Sequence, residues 1–216
     1  MKRFIFLAAL LCLPLCLMAN KKDKDPKYLL GAVPEVEGIV TFQKNFSVTD
    51  KSEQQIYDVM LAYINNSIIG NAIHDKSLPY TRIISNEREN GSIVARIEEY
   101  MTFSKKFLSL DRTRVRYLLS ATVTGQKVSL VLTQISYYYN EDMDGRNGVL
   151  YKAEEWITDK EAVNKSGTKL YPRSGKFRRF TVDRVQEIFE GFMDALSTME
   201  IEEQVITTKR KGIVEE

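Results

Sequence analysis

Cysteine is nearly absent from this chain of 216 residues: the two it has, Cys12 and Cys16, both lie in the first nineteen positions. Beyond them there is no thiol, which excludes disulfides, thiolate catalysis and Cys-ligated metals from the rest of the protein. Histidine is as scarce, with His74 alone, in the loop "GNAIHDKSLP". A Ser-His-Asp triad would have to be built on it, yet no nucleophile elbow is present, and an imidazole metal site would lack its second ligand. Net charge is missing too. The first nineteen residues hold two of the 31 basic residues and none of the 29 acidic ones, so the remainder carries 29 of each. No overall basic excess favours nucleic acid.

The only long apolar run is the first. "MKRFIFLAALLCLPLCLMA" joins Lys2 and Arg3 to an apolar stretch that ends in Ala19 and precedes the charged "NKKDKDPK". It falls short of the roughly 20 apolar residues that a bilayer helix needs. It reads as a secretory signal cleaved near Ala19, placing the protein in the periplasm or outside the cell. Lipid attachment at Cys16 is disfavoured by the bulky Leu15 before it. No segment reads as membrane-spanning.

The chain beyond Ala19 is long enough for one domain with a substantial core. Residues 20–37 read as a charged leader and linker. In "IVTFQKNFSV" the residues Val40, Phe42, Phe46 and Val48 alternate onto one face, which predicts a strand with Lys44 as the interruption. The next segment sets Ile56, Met60, Tyr63, Ile64 and Ile68 at helical spacing behind a capping box of Asp50 and Glu53.

Four strands come next, and their turns predict a register. Asn90-Gly91 suits a two-residue turn, which sets Arg82 opposite Glu99 and Ile84 opposite Ile97. Gly125-Gln126 suits another, which pairs Thr124 with Lys127, Ala121 with Leu130 and Leu119 with Leu132. One face is then apolar: Val115, Tyr117, Leu119, Ala121 and Val123 beside Val128, Leu130 and Leu132, with Ile93, Ala95, Ile97 and Met101 alongside. The other face sets Arg112, Arg114 and Arg116 against Tyr139, Tyr137 and Ile135. Residues 140–178 form a long excursion with a helical turn near "AEEWI". A last helix is expected from Thr181 as N-cap, with Val185, Ile188, Phe189, Phe192, Leu196 and Met199 in one stripe across the apolar face. The domain spans 38–200, and 201–216 are a charged, frayed tail.

At "VPEVEGIVTFQKNFSV" and "AEEWITDKEAVNKSGTKLYPRSGKFRRFTVD" the chain resembles a family of exported bacterial proteins, known as a domain of unknown function with a fold like that of the TATA-binding protein (TBP). The resemblance covers roughly residues 33–200. It implies an α+β, TBP-like architecture: strand, helix, four antiparallel strands and a C-terminal helix across one twisted sheet. It brings no catalytic residues.

Candidate chemistry is sparse. "NEDMDGRNG" sets Asn140, Asp142, Asp144 and Gly145 like the start of a calcium loop, but Tyr151 stands where a bidentate Glu belongs. Glu98 and Glu99 point to opposite strand faces, and Glu154 and Glu155 are neighbours on a turn, so neither pair converges on a substrate. No cofactor or metal is expected. On the covered face the predicted register gathers Arg82, Glu99, Tyr117, Gln134 and Ser136 at one end of an apolar surface. That pattern suits a small amphipathic or lipid-like ligand held between sheet and C-terminal helix. The chain therefore reads as an exported, non-enzymatic binding protein. The alternative is an envelope interaction or scaffolding domain, with Tyr151, Trp156 and Tyr171 of the excursion meeting a protein partner.

Overall fold

A computed structural model describes residues 22–70, 78, 80–106, 109–139 and 148–211. His74, the acidic segment 140–147 and the apolar N-terminal segment lie outside the described residues. A hairpin of β1 (Glu35–Val36) and β2 (Ile39–Val40) precedes β3 (Phe42–Ser47), so the predicted first strand is interrupted at Thr41. Helix α1 (Glu53–Tyr63) comes next and widens into a π-helical stretch over Ile64–Ile69. Its capping box is formed by Ser52 and Gln55, not Asp50 and Glu53: Gln55 N donates to Ser52 Oγ at 3.3 Å, and Ser52 N donates to Gln55 Oε1 at 2.8 Å.

Strands β4 (Arg82–Glu87), β5 (Ser92–Lys106), β6 (Ser109–Thr124) and β7 (Lys127–Tyr139) complete an antiparallel sheet in the order β3-β7-β6-β5-β4. A short β8 (Val149–Lys152) pairs with the second half of β7, beyond the stretch that β3 occupies. The β6–β7 register obeys the turn as expected from Thr124↔Lys127 to Leu119↔Leu132. It then slips by one at Gln134, whose φ of 53° marks a bulge. The slip exchanges faces: Ile135 and Tyr137 turn into the core, and Arg114 and Arg116 come to face Tyr138 and Ser136. This corrects the predicted arginine ladder.

The β4–β5 register is also corrected. Arg88–Asn90 form a 3₁₀ turn closed by Gly91, so Glu87 pairs with Ser92, and a second irregularity at Ile84 leaves Arg82 opposite Arg96. Gly91 has φ 60°, and a Cβ there would lie 2.2 Å from the Val123 carbonyl oxygen, so the turn needs glycine on both counts.

After β8 come a 3₁₀ turn at Ala153–Glu155 and α2 (Asp159–Ala162), and then the long helix α3 (Pro172–Lys211). It starts well before Thr181 and runs to Lys211, into the stretch predicted as a frayed tail. Pro172 opens it, where a missing N–H leaves nothing unsatisfied. Gly175 then lets the first turn pass Leu170, whose Cβ would sit 2.7 Å from an added methyl. Thr181 is buried inside the helix, its hydroxyl 2.7 Å from the Tyr137 hydroxyl. Helices α1 and α3 cover one sheet face. Ile56, Met60, Ile64, Phe177, Ile188 and Phe192 meet Ile93, Ile97, Leu119 and Leu130, all fully buried.

Within the leader, residues 23–29 form a strap bound to α3. Fully buried Arg178 on α3 donates from Nε to the Tyr28 carbonyl at 2.6 Å, from Nη1 to the Ile157 carbonyl at 2.7 Å and from Nη2 to the Leu29 carbonyl, and it pairs with Asp159. Burial pulls the pKa of this guanidinium down, and Asp159 opposes that shift. Lys27 Nζ and the Tyr28 hydroxyl both reach Asp183, at 2.6 and 2.9 Å, and Arg179 pairs with Asp23.

Candidate functional site

The predicted polar cluster separates. Glu99 and Tyr117 do meet on the helix-covered face, with the Tyr117 hydroxyl donating to Glu99 Oε1 at 3.0 Å. Arg82 stands exposed, across from Arg96. Gln134 is exposed at the bulge, and Ser136 has moved to the opposite face beside Arg116. The partner that sequence reasoning missed is Arg184 of α3, which grips Glu99 through Nε and Nη2, each at 2.9 Å. One signal for it was available: Arg184 falls in helical register with Phe177, Thr181 and Ile188, and a charge on a buried stripe needs a counter-charge.

The arrangement is an electrostatic clamp between α3 and β5. The side chains of Arg184 and Glu99 are 25% and 20% exposed, and the pair is bidentate. Burial works against the Arg184 charge, but Glu99 outweighs it and the guanidinium pKa rises. Burial, then the Glu99 charge, pushes the Tyr117 phenol well above its ordinary range. A depression of about 330 Å³ adjoins the clamp, lined by Tyr100, Met101, Phe180, Asp183 and Glu187. With its charges paired internally, the clamp serves better as a strut than as a ligand anchor.

A more apolar recess lies at the other margin of the sheet. Phe42 and Lys44 of β3 face Val182, Val185, Phe189 and Met193 of α3 across a groove of about 460 Å³. Phe42, Val185 and Phe189 are buried and form its floor; Gln43, Gln186 and Glu190 line it as well. Lys44 pairs in register with buried Leu130, so it stands on the core side of the edge strand, at the groove. An inward lysine on an edge strand also discourages pairing with another sheet. The size and the apolar floor with few polar groups match a site for a small ligand.

The proposed contact surface of the excursion is also altered. Trp156 is packed, not presented: its ring stacks on Tyr151 at 4.3 Å and meets Phe177 edge-on at 5.8 Å. Tyr151 is half-buried, and Tyr171 alone of the three is exposed, at 41%. Among the described residues no group of acidic, histidine or cysteine side chains is placed to hold a metal ion, and no helix is long and apolar enough to cross a membrane.

Comparison with known proteins fits this architecture. Residues 42–138 match the family described as a domain of unknown function (DUF4468) with TBP-like fold. A crystal structure of a DUF4468 family protein from Bacteroides ovatus is 38% identical, covers 80% of this chain and 94% of its own, and superposes with a TM-score of 0.71. A TBP-like protein from Parabacteroides distasonis shares the fold at 19% identity and a TM-score of 0.61, over 76% of this chain and 97% of its own. No curated protein matches the sequence. With strands, helices and sequence in agreement over four-fifths of its length, the chain belongs to the DUF4468 family, a family of unknown function with a TBP-like fold.

Proposed function

We propose that the protein is an exported, non-enzymatic binding domain that holds a small amphipathic molecule in the groove between β3 and α3. The observation that carries this reading is the groove itself: an apolar floor of Phe42, Val185 and Phe189 with Lys44 at its margin. An acyl or similar chain would lie on the floor, and an anionic head would reach the Lys44 ammonium. The proposal moves the ligand away from the Glu99 cluster, because Arg184 already occupies that carboxylate. Export rests on the basic start and short apolar run of the first nineteen residues. The competing reading, an envelope interaction domain docking through Trp156, loses its anchor where the indole packs inward.

Native mass spectrometry of the protein, purified from its host without detergent, tests the reading. Extra mass that is lost on denaturation, and saturable uptake of a medium-chain fatty acid but not of the alkylammonium of equal length, are expected. Lys44→Glu should reverse that preference, and Val182→Trp should fill the groove and abolish uptake. A bare mass with no uptake of either probe refutes it.

A further inference from the structure

Charge is balanced over the chain beyond Ala19, but one end of the fold is not. Residues 22–31 and 159–183, which meet around the strap, hold ten basic residues against five acidic ones. Contacts join the two segments into one surface: Leu170 N donates to the Asp23 carbonyl at 2.9 Å, and Leu30 lies so close to Gly167 that an added Cβ would be 2.6 Å from its Cδ1. The five acids are already engaged. Asp23 pairs with Arg179, Asp159 with Arg178 and Asp183 with Lys27, while Asp25 accepts from the Lys27 backbone N–H and Glu161 lies 3.4 Å from Lys160 Nζ. Lys22, Lys24, Lys165, Lys169 and Arg173 make no ion pair among the described residues, and all but Lys169 are exposed.

The loop that carries Lys165 and Lys169 is set by its own hydrogen bonds. Asn164 Oδ1 accepts from the backbone N–H groups of Thr168 and Lys169 at 2.9 and 3.0 Å, Asn164 Nδ2 donates to Ser166 Oγ at 2.8 Å, and Gly167 supplies the positive φ of 70°. Apolar groups stand among the cations. Leu30, 62% exposed, is the most exposed large apolar side chain among the described residues, and Tyr171, at 41%, lies just before the start of α3, two residues from Arg173.

Unpaired cations alone would suit any polyanion. Cations set around a protruding leucine and a tyrosine suit a surface that is anionic outside and apolar beneath, which is a bilayer with acidic headgroups. The ammonium and guanidinium groups would meet the phosphates, Leu30 would enter below them, and Tyr171 would keep its ring in the interface with its hydroxyl in water. Under the export proposed above, the apolar run of residues 4–18 joins the molecule at this end, close before Lys22, so this is also the end brought to a bilayer first. We propose that this end of the fold docks reversibly on an anionic lipid surface through Lys22, Lys24, Lys165, Lys169 and Arg173, with Leu30 and Tyr171 inserted to headgroup depth. The dock and the β3–α3 groove fail or stand separately, since none of these residues lines the groove.

The test is co-sedimentation of the protein, purified from its host, with vesicles of phosphatidylcholine containing about 30% phosphatidylglycerol. Binding should be at least about tenfold tighter than to phosphatidylcholine alone, and it should fall about tenfold on going from about 0.1 to about 0.5 M salt. Lys165→Gln with Lys169→Gln should weaken it about twentyfold, at about fivefold for each cation. Arg82→Gln with Lys127→Gln, an equal loss of charge at exposed positions of the sheet, should leave it unchanged. Leu30→Asn should weaken it about fivefold. A polarity-sensitive dye on Leu30→Cys should brighten on the anionic vesicles, while the same dye on Ile84→Cys of β4, also an exposed position, should not. No preference for anionic vesicles overturns the proposal, and equal losses from the two charge pairs overturn the location. Heparin that binds as tightly as the vesicles, with the Leu30 dye silent on lipid, overturns the choice of partner.

Discussion

Replacing Glu99 with Gln removes one charge from the clamp that ties α3 to β5 while keeping its shape. Arg184 would then hold a guanidinium that is three-quarters buried with its bidentate partner gone, although Glu187 still lies 2.9 Å from Nη1. Breaking a buried pair by removing one partner costs about 3–5 kcal/mol. Residual exposure of both groups and the Glu187 contact bring this to about 2–3 kcal/mol. Glu99→Leu should cost about 1–2 kcal/mol more, because the buried Tyr117 hydroxyl loses its acceptor as well. Removing all three polar groups together, Glu99→Leu with Arg184→Met and Tyr117→Phe, should return stability to within about 1 kcal/mol of the parent, since no orphaned charge or donor remains. Urea unfolding followed by Trp156 fluorescence and by circular dichroism measures each value, and coincident curves confirm a single transition. The reasoning fails if Glu99→Gln changes stability by less than about 0.5 kcal/mol, or if the Glu99 and Arg184 substitutions prove additive.

Alkali should destabilise the protein, and two fully buried phenols contribute to the loss. Burial raises the pKa of Tyr117 and Tyr137 above the ordinary 10.0, so above that pH the unfolded chain sheds protons that the folded chain keeps. These two phenols leave stability unchanged below about pH 10 and lower it above that by up to about 1.4 kcal/mol per unit each; Tyr137→Phe should make the slope of stability against pH shallower. Arg178→Met leaves three carbonyls of the strap and of Ile157 without their donor, which should cost roughly 3 kcal/mol and make residues 23–33 the first site of limited proteolysis. Gly91→Ala and Gly125→Ala share a φ of 60°, but only the first drives a methyl into a backbone carbonyl. Thermal melts should therefore show a loss of about 1 kcal/mol at Gly125 and more than about 2 kcal/mol at Gly91; equal losses would refute the steric argument.

How far the sequence could be read depended on whether each turn declared its geometry. Gly125-Gln126 is a two-residue turn, so counting back from it placed every pair as far as Leu119↔Leu132. The count failed at Gln134 because a glutamine with positive φ carries no mark of it, unlike Gly or Asn, and one extra residue turned half a strand over. Asn90-Gly91 resembled the same kind of turn, but its glycine closes a longer 3₁₀ turn, and Arg82 was displaced from Glu99 as a result. Of the polar cluster, Glu99 and Tyr117 were legible because they sit on adjacent strands in an unbroken stretch of register. Arg184 was not placed because its partner lies 85 residues away, where no local rule reaches. The β3–α3 groove was invisible for the same reason, since it depends on how an edge strand and a helix approach each other.

The strap has a consequence for the order in which the molecule is completed. The carbonyls of Tyr28 and Leu29 wait on a guanidinium 150 and 149 residues further along, and Asp183 lies 156 residues beyond Lys27. A chain made from its first residue onward can pair β5, β6 and β7 as they appear, but it cannot fasten its own beginning until the start of α3 exists. Closing so long a loop is slow and entropically costly, so it belongs at the end of folding. The fastening then reports on length: a chain interrupted anywhere before Arg178 keeps a loose N-terminal end, open to any protease that scans for one. Arrival of Arg178 is thereby written into protection of the strap.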